Sequence, residues 1–391
     1  MKVVIFYPYN TGEKAFSGGV AKVFVSNIIA VHLNGDVPYA VMPEGNFGLV
    51  NYIKNNCPYC KIVTIPFGTL ALFSDTKNPF TRIKLITKNL IMVFKGLKLL
   101  KKTFKKISPD VIHYHEINCH ILFGLYTKCK VVFHIHSYRF TGYKFIAPII
   151  YRAVNKYVDE VIIPTLSIKE AVDSHIKKHI QIVKTPYLNL ETNIAETDTS
   201  IKTSLSEIRK EKIIFSFVGR ICTIKRIDHF LKAMTILPKE MREKMAFVII
   251  GGCNFAGDVA YKKQLDILIK ENNLENSVNF IGYVNPIELA LSSIDYGVML
   301  TESEAMPMTG IEYMKFNIPI IAYSAPGISD FMVNEENGFL IENGNYKEIA
   351  NILEKIINGD NIPNFNKMIP LHFAGYSVDA FANTIKQVYQ G

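Results

Sequence analysis

The chain contains no run of about eighteen apolar residues, and its opening Met1-Lys-Val-Val-Ile-Phe-Tyr breaks at Pro8, too early for a secretory signal. A spanning helix and a leader are therefore not expected, and residence in the cytoplasm is. No low-complexity tract or short repeat is present, which argues against a solenoid or a disordered chain. The Gly-x-Gly-x-x-Gly pattern of nicotinamide enzymes, with an acid about twenty residues on, is not supplied by Ser17-Gly-Gly-Val20. No recognised nucleic-acid reading motif accompanies the basic residues, so nucleic acid is not an expected partner.

Acidic residues are missing from one long stretch. Between Lys77 and Lys106 lie ten Lys or Arg and no Asp or Glu, in a chain of net charge +9. Leu85, Leu90, Ile91, Val93, Phe94, Leu97, Leu99, Leu100 and Phe104 are interleaved with those cations. The pattern predicts a basic amphipathic helix, and residues 77–106 become a candidate contact with an anionic membrane surface. A helix packed on its own sheet with solvated lysines has the same signature.

Cysteine is sparse. Six thiols in a cytosolic chain are expected to be reduced. In Cys57-Pro-Tyr-Cys60 the strand-like run Lys61-Ile-Val-Thr-Ile65 follows the pair, whereas a redox Cys-x-x-Cys opens a helix after a strand. The two are read as incidental. A zinc site would need two more ligands of similar spacing, so no metal and no cofactor is expected.

What is present is ordinary globular material: 391 residues, 49% hydrophobic and 20% charged, a length that favours two domains. Strand-like runs at Val3–Tyr7, Tyr39–Met42, Ile62–Ile65, Val111–Tyr114, Val131–Ile135 and Val161–Pro164 alternate with longer helical segments. That is a parallel α/β domain. The polar stretch 191–212 reads as a linker. A second alternation follows, with strands near Ile213–Val218, Ala246–Ile250, Val278–Ile281, Tyr296–Leu300 and Ile318–Tyr323. The expected architecture is two Rossmann-like domains, 1–190 and 213–372, facing across a cleft. A last helix within 373–391 is expected to pack back on the first domain.

The most informative segment is Thr301-Glu-Ser-Glu304-Ala-Met-Pro-Met-Thr-Gly-Ile-Glu312, which lies between two strand-like runs. Pro307 suits a helix start, placing Glu304 in the loop before the helix and Glu312 inside it. Free helix N–H groups bind phosphate and carboxylates bind hydroxyls, and a nucleotide sugar carries both groups in series. A capping Glu304 and a solvated Glu312 would fit the spacing equally. Strand Ile214–Val218 ends in Gly219-Arg220, with Lys225-Arg226 in the next turn. Arg220 offers a forked set of donors and Lys225 a compact charge, both suited to phosphate.

Val218-Gly-Arg-Ile-Cys-Thr-Ile-Lys225, Ile249-Ile-Gly-Gly252, Val278-Asn-Phe-Ile-Gly-Tyr-Val284, Glu304 through Glu312 and Asn317-Ile-Pro319 occur in the order found in glycosyltransferase family 4. The chain resembles that family, most strongly over about Ile213 to Asn345. The resemblance implies an α/β GT-B fold and a retaining transferase that uses a nucleotide-diphosphate sugar without a metal. It implies that Glu304 meets the donor sugar hydroxyls, Glu312 the ribose, and Arg220 and Lys225 the diphosphate. The amides of Met308, Thr309 and Gly310 would meet phosphate and sugar, and Gly219 would stand at the same strand end. Gly282, Tyr283 and Val284 would border the base. The family's glycine-rich loop after its first strand corresponds to Gly18 and Gly19, and its active-site histidine to His136.

In Val131-Val-Phe-His134-Ile-His136 the alternation is read as sending the two histidines to opposite faces, His134 into packing. His113, His115 and Glu116 end the preceding strand and are further candidates for the acceptor pocket; a metal cluster made from them is an alternative that the sequence does not support. The sequence departs from the family at three places. A glycine usual after the lysine is read as replaced at Ile227 through Arg226, the Gly-x-Gly-Pro turn becomes Gly251-Gly-Cys-Asn-Phe, and the Pro-Asn-Gly-Val motif becomes Thr185-Pro-Tyr-Leu188.

The expected activity is transfer of a hexose from a nucleotide-diphosphate sugar to a glycan, lipid-linked, in bacterial cell-surface polysaccharide synthesis, at the inner face of the cell membrane. A GT-B nucleotide-sugar epimerase and a non-catalytic sugar-nucleotide-binding subunit are the alternatives. The sequence does not identify the sugar, the base, the acceptor or the linkage.

Overall fold

A computed structural model describes residues 1–10, 12–13, 19–66, 95–116, 128–137, 147–188, 198–210, 212–253, 255–284 and 286–391. The chain divides into two compact units, Met1–Leu188 with Ser377–Gly391, and Asn189–Tyr376.

In the first unit the strands β1 (Lys2–Phe6), β2 (Val37–Pro43), β3 (Lys61–Ile65), β4 (Val111–His115), β5 (Lys130–His134), β6 (Glu160–Ile163) and β7 (His179–Ile182) lie parallel in the order β3-β2-β1-β4-β5-β6-β7. β4 is buried at every position and β1 at all but Lys2, as befits strands covered on both faces. The strand order reverses between β1 and β4, and ligands of such sheets bind at the carboxyl ends beside that reversal. Helix Gly19–Leu33 connects β1 to β2. Against it lies the C-terminal helix Val378–Gln390, which buries Phe381, Ala382, Ile385, Val388 and Tyr389 at helical spacing. Ser377 caps it by accepting from the Ala380 amide, and Asn34 Nδ2 donates to the Ala382 carbonyl at 2.9 Å.

The second unit repeats the plan. β8 (Ile213–Val218), β9 (Met245–Ile250), β10 (Val278–Gly282), β11 (Tyr296–Met299), β12 (Ile320–Ser324) and β13 (Gly338–Glu342) form a parallel sheet ordered β10-β9-β8-β11-β12-β13. β9 is buried throughout, and Phe247 on it meets Phe230 of helix Ile227–Ile236 with ring centroids 4.2 Å apart. Burial of each such ring stabilises the unit by roughly 1.5–3 kcal/mol.

Three features differ from expectation. Within the stretch read as a linker, Asp198–Arg209 is a helix belonging to the second unit, held by buried Leu205 and by Arg209 on Asp295 at 2.7 Å. Ile201, Leu205 and Ile208 do recur at helical spacing, but the polar residues around them give the segment the composition of a linker. β7 and β13 carry no expectation; both are short edge strands. In the basic segment, residues 95–107 are helical with Leu97, Leu100, Phe104 and Ile107 buried in their own unit, while Lys95, Lys98, Lys101, Lys102, Lys105 and Lys106 are exposed. Most of the apolar stripe is thus occupied by the fold, and the outward face of the described residues carries the lysines with Leu99 among them. Residues 77–94 of the expected helix lie outside the described residues. No helix among the described residues is long and apolar enough to cross a membrane. Cys57 and Cys60 are free thiols, and β3 follows them.

Candidate active site

In the second unit the strand order reverses between β8 and β11, so the loops leaving those two strands border the crevice where ligands of this topology sit. The first loop carries Arg220, Lys225 and Arg226; the second carries Glu302 and Glu304. They are joined by Lys225 paired with Glu304, by Arg226 paired with Glu302, and by the Glu302 amide donating to the Ile224 carbonyl at 3.2 Å. Lys225 and Glu304 are both partly buried, so each charge is only partly screened.

The backbone after β8 is shaped for this. A short 3₁₀ turn, Thr223–Lys225, ends at Arg226 in the left-handed region, φ +51°, before helix Ile227–Ile236 begins. This is the position a glycine would adopt most easily, and it falls at Arg226, directly after Lys225, rather than at Ile227 as expected. The strain is of order 1–2 kcal/mol for a residue with a Cβ.

Glu304 is fixed by its main chain as well as its side chain. Its amide donates to the Pro326 carbonyl at 2.9 Å, and Gly327, at φ +82°, approaches so closely that an added Cβ would stand 1.5 Å from the Glu304 carbonyl oxygen. Gly327 carries no side-chain chemistry; Pro326-Gly327 signals a turn in the sequence, but not its approach to Glu304. Helix Met308–Lys315 follows Pro307, as the sequence predicts, and buries Glu312 at 6% exposure. Neighbouring Tyr313 anchors the helix by donating to the Ser216 carbonyl at 2.8 Å. Of the three amides expected to face a ligand, Met308 donates to Met306 at 3.0 Å and Gly310 to Pro307 at 2.9 Å. Local turn bonds therefore occupy those two donors. Gly310 serves packing: a Cβ there would lie 2.5 Å from the Phe331 ring. Thr309 Oγ1 donates to the Val218 carbonyl at 3.5 Å, linking the helix start to the end of β8.

Glycines crowd the ends of β8, β9 and β10. Gly219, Gly251 and Gly282 all have positive φ, and a Cβ on Gly251 would stand 1.8 Å from the Gly219 carbonyl oxygen. The close approach is sealed by Gly219 N donating to Ile250, Ile221 N to Gly252 and Gly251 N to Gly282. Arg220 leaves this platform with its guanidinium 3.6 Å from the Asp258 carboxylate and 5.2 Å from the centre of the Phe255 ring. Phe255 and Tyr283 are exposed, Tyr283 at 79%, while Val284 is buried.

In the first unit, His136 is buried, with its amide donating to Glu116 Oε1 at 3.1 Å. The expectation that His134 and His136 face opposite ways is corrected: residues two apart on a strand share a face, and these rings stack with centroids 3.9 Å apart. His113 and His115 of β4 share that face, making four adjoining imidazoles. His115 Nδ1 lies 2.9 Å from His136 Nε2, and His113 Nε2 lies 3.3 Å from His134 Nδ1. Burial presses all four imidazoles below their ordinary range, His113 and His136 to about 3, so the cluster is neutral. Gly19 begins helix Gly19–Leu33, and Gly18 lies outside the described residues.

Residues 200–369 match the family model described as glycosyl transferases group 1. Over these residues the chain is similar to the group 1 glycosyl transferases. Every second-unit candidate named above falls inside the matched residues; His136, Gly18 and Gly19 fall outside them. The chain is 23% identical to an uncharacterized glycosyltransferase of Haemophilus influenzae, over 92% of this chain and 91% of that protein. It is also 23% identical to the UDP-Gal:α-D-GlcNAc-diphosphoundecaprenol α-1,3-galactosyltransferase of Escherichia coli, over 77% and 80% of the two chains. Among solved structures, Anabaena HepE in complex with UDP superposes with a TM-score of 0.73 at 15% identity, covering 99% of both chains. The lipopolysaccharide outer core galactosyltransferase WaaB superposes with 0.67 at 18% identity, covering 100% of this chain and 99% of that one. The fold is accordingly GT-B, two Rossmann-like units each built on a parallel sheet.

Proposed function

We propose that this protein transfers a hexose from a nucleotide-diphosphate sugar to a lipid-linked glycan in bacterial surface polysaccharide synthesis, with retention at the anomeric carbon. The observation that carries the reading is the meeting of Lys225 and Glu304 at the β8–β11 reversal, with Arg220 on the same loop as the lysine. Two cations suit a diphosphate, and a carboxylate beside them suits the sugar hydroxyls. Glu312 is assigned to the ribose, the Thr309 region and Gly219 to phosphate and sugar, and Gly282, Tyr283 and Val284 to the edge of the base. His136 is assigned to the reacting region and the Gly18–Gly19 loop to the diphosphate. The relative named for galactosyl transfer to a lipid diphosphate supports the acceptor class.

The reaction proceeds by front-face displacement. The bond from the anomeric carbon to the phosphate oxygen breaks, the acceptor oxygen forms its bond on the same face, and the acceptor proton passes to the departing phosphate. Arg220 and Lys225 stabilise the charge that develops on that phosphate, where preorganised cations act most strongly. No metal is assigned to the step. The lysine face of residues 95–106 is assigned to an anionic membrane surface, bringing the enzyme to a membrane-held acceptor.

The test is a transfer assay with purified protein, a panel of nucleotide-diphosphate hexoses and lipid-diphosphate glycan acceptors, followed by assignment of the new linkage by NMR. A lengthened glycan with the donor's anomeric configuration is expected. Sugar that stays on the nucleotide in altered form, or inversion of configuration, would overturn the reading.

A further inference from the structure

We propose that His113, His115 and His134 form a buried zinc site in the first unit, with His136 and Tyr389 orienting its ligands. The site is built by register. β4 and β5 are adjacent and parallel, His115 is the direct partner of His134, and His113 lies two residues before His115 on the same face. One donor nitrogen from each of the three rings lies within 4.8 Å of the others. Two nitrogens on one tetrahedral zinc, each about 2.0–2.1 Å from the metal, stand roughly 3.3 Å apart. His113 Nε2 and His134 Nδ1 are already 3.3 Å apart.

The outer partners favour the same assignment. A zinc-bound imidazole keeps its proton on the nitrogen away from the metal and gives it to a neighbouring acceptor. His113 Nδ1 lies 2.7 Å from the Tyr389 hydroxyl, and His115 Nδ1 lies 2.9 Å from His136 Nε2. The partner that His115 Nε2 meets is an electropositive one, the Asn27 amide nitrogen at 3.3 Å. His134 Nε2 and Asn27 Oδ1 are buried polar atoms with no hydrogen-bond partner. A core of imidazoles that pair mainly with each other leaves such an orphan, because a neutral ring carries one donor and one lone pair. A cation that takes the lone pairs of His113 Nε2 and His134 Nδ1 settles how those two facing nitrogens pair, while His134 Nε2 keeps the ring's proton.

Three neutral nitrogens select the metal class. Calcium and magnesium require oxygen ligands, whereas imidazole suits zinc and its transition-metal neighbours. Deep burial favours a structural role: the ion would tie β4 to β5 and, through Tyr389, to the C-terminal helix. The site adjoins the reaction proposed above through His136, which both readings use, and it is tested by metal binding rather than by transfer.

The test uses the untagged full chain, stripped with a chelator and then titrated with zinc. One zinc per chain by plasma mass spectrometry is expected, with a rise in apparent unfolding temperature. His113→Gln and His134→Gln should each weaken zinc binding at least about tenfold, and Tyr389→Phe, which keeps all three ligands, by about tenfold. The phenylalanine variant answers the question even where a histidine variant does not fold. Absence of bound zinc and of any temperature shift in the wild type would overturn the site. So would zinc held with unchanged affinity by the variants, since the metal would then sit elsewhere.

Discussion

Lys225 is ion-paired with Glu304, so a cation assigned to the diphosphate and a carboxylate assigned to the sugar are each other's partner. The pair fixes both ends of the donor site in one geometry, across the strand reversal where β8 and β11 release their loops. Lys225→Ala is expected to lower kcat/KM for transfer about a hundredfold or more with the fold kept, as loss of a charge-stabilising donor does. Glu304→Gln should lower it as well. Because the two side chains touch, the double variant should lose less than the product of the two single losses. Steady-state kinetics on the four proteins checks this, and strictly multiplicative losses would mean that the pair does not act together.

Gly327 positions Glu304 without offering it a side chain. Any Cβ at that residue would collide with the Glu304 carbonyl oxygen, and its left-handed backbone adds strain for any other residue. Gly327→Ala should therefore push the Glu304 loop aside and reduce transfer at least about tenfold, a displacement of about 1 Å being enough for a larger loss. Nucleotide affinity should change little, since Glu312 and Arg220 are on other segments. Calorimetry with the nucleoside diphosphate separates the outcomes: equal losses in affinity and turnover would point to general disorder of the unit.

What can be read from the chain alone follows the range of the forces involved. Arg220, Lys225, Glu304 and Glu312 are legible because each sits in a short segment whose strand–loop–helix pattern is local. Gly327 is not, and Gly251 is legible as a motif residue but not in its reason, because the backbone each must avoid, at Glu304 and Gly219, is brought near only by the folded sheet. The Met308 and Gly310 amides are expected to be free, but short turn bonds beneath Pro307 claim them. The four-histidine face requires the β4–β5 register as well as the spacing along each strand. The sheet order of each unit is not legible in this way, because right-handed crossovers fix which face a helix covers and not which strands become neighbours.

His229 gives the second unit a pH dependence whose sign can be worked out. Its Nδ1 lies 2.8 Å from the Tyr323 hydroxyl, and burial lowers its pKa, with Lys232 and Arg226 acting in the same direction and Asp228 and Glu302 opposing them. The folded value lies below that of the unfolded chain, so the unfolded state binds the proton more readily. The stability this group preserves is fully present above about pH 6.5 and is lost as pH falls through that value toward the folded one. His229→Gln should flatten that slope. The difference between wild-type and variant urea midpoints, measured from about pH 8 down to about 5, should narrow as the wild type weakens; a constant difference would refute the linkage.

The exposed lysines of residues 95–106 should bind anionic membranes by charge alone, because Leu97, Leu100 and Phe104 are committed to the core of their own unit. A lysine near an anionic leaflet contributes about 1 kcal/mol, and the attraction decays within a Debye length. Changing Lys98, Lys101, Lys102, Lys105 and Lys106 to glutamine should therefore release the protein from vesicles containing anionic lipid, and added salt should do the same to the wild type. Vesicles of neutral lipid should retain neither protein, since among the described residues of this helix Leu99 alone of the large apolar side chains is exposed. Co-sedimentation measures all three. Retention on neutral vesicles that survives high salt would mean that an apolar surface other than this helix makes the contact, and undiminished binding of the glutamine variant to anionic vesicles would remove the lysines from it.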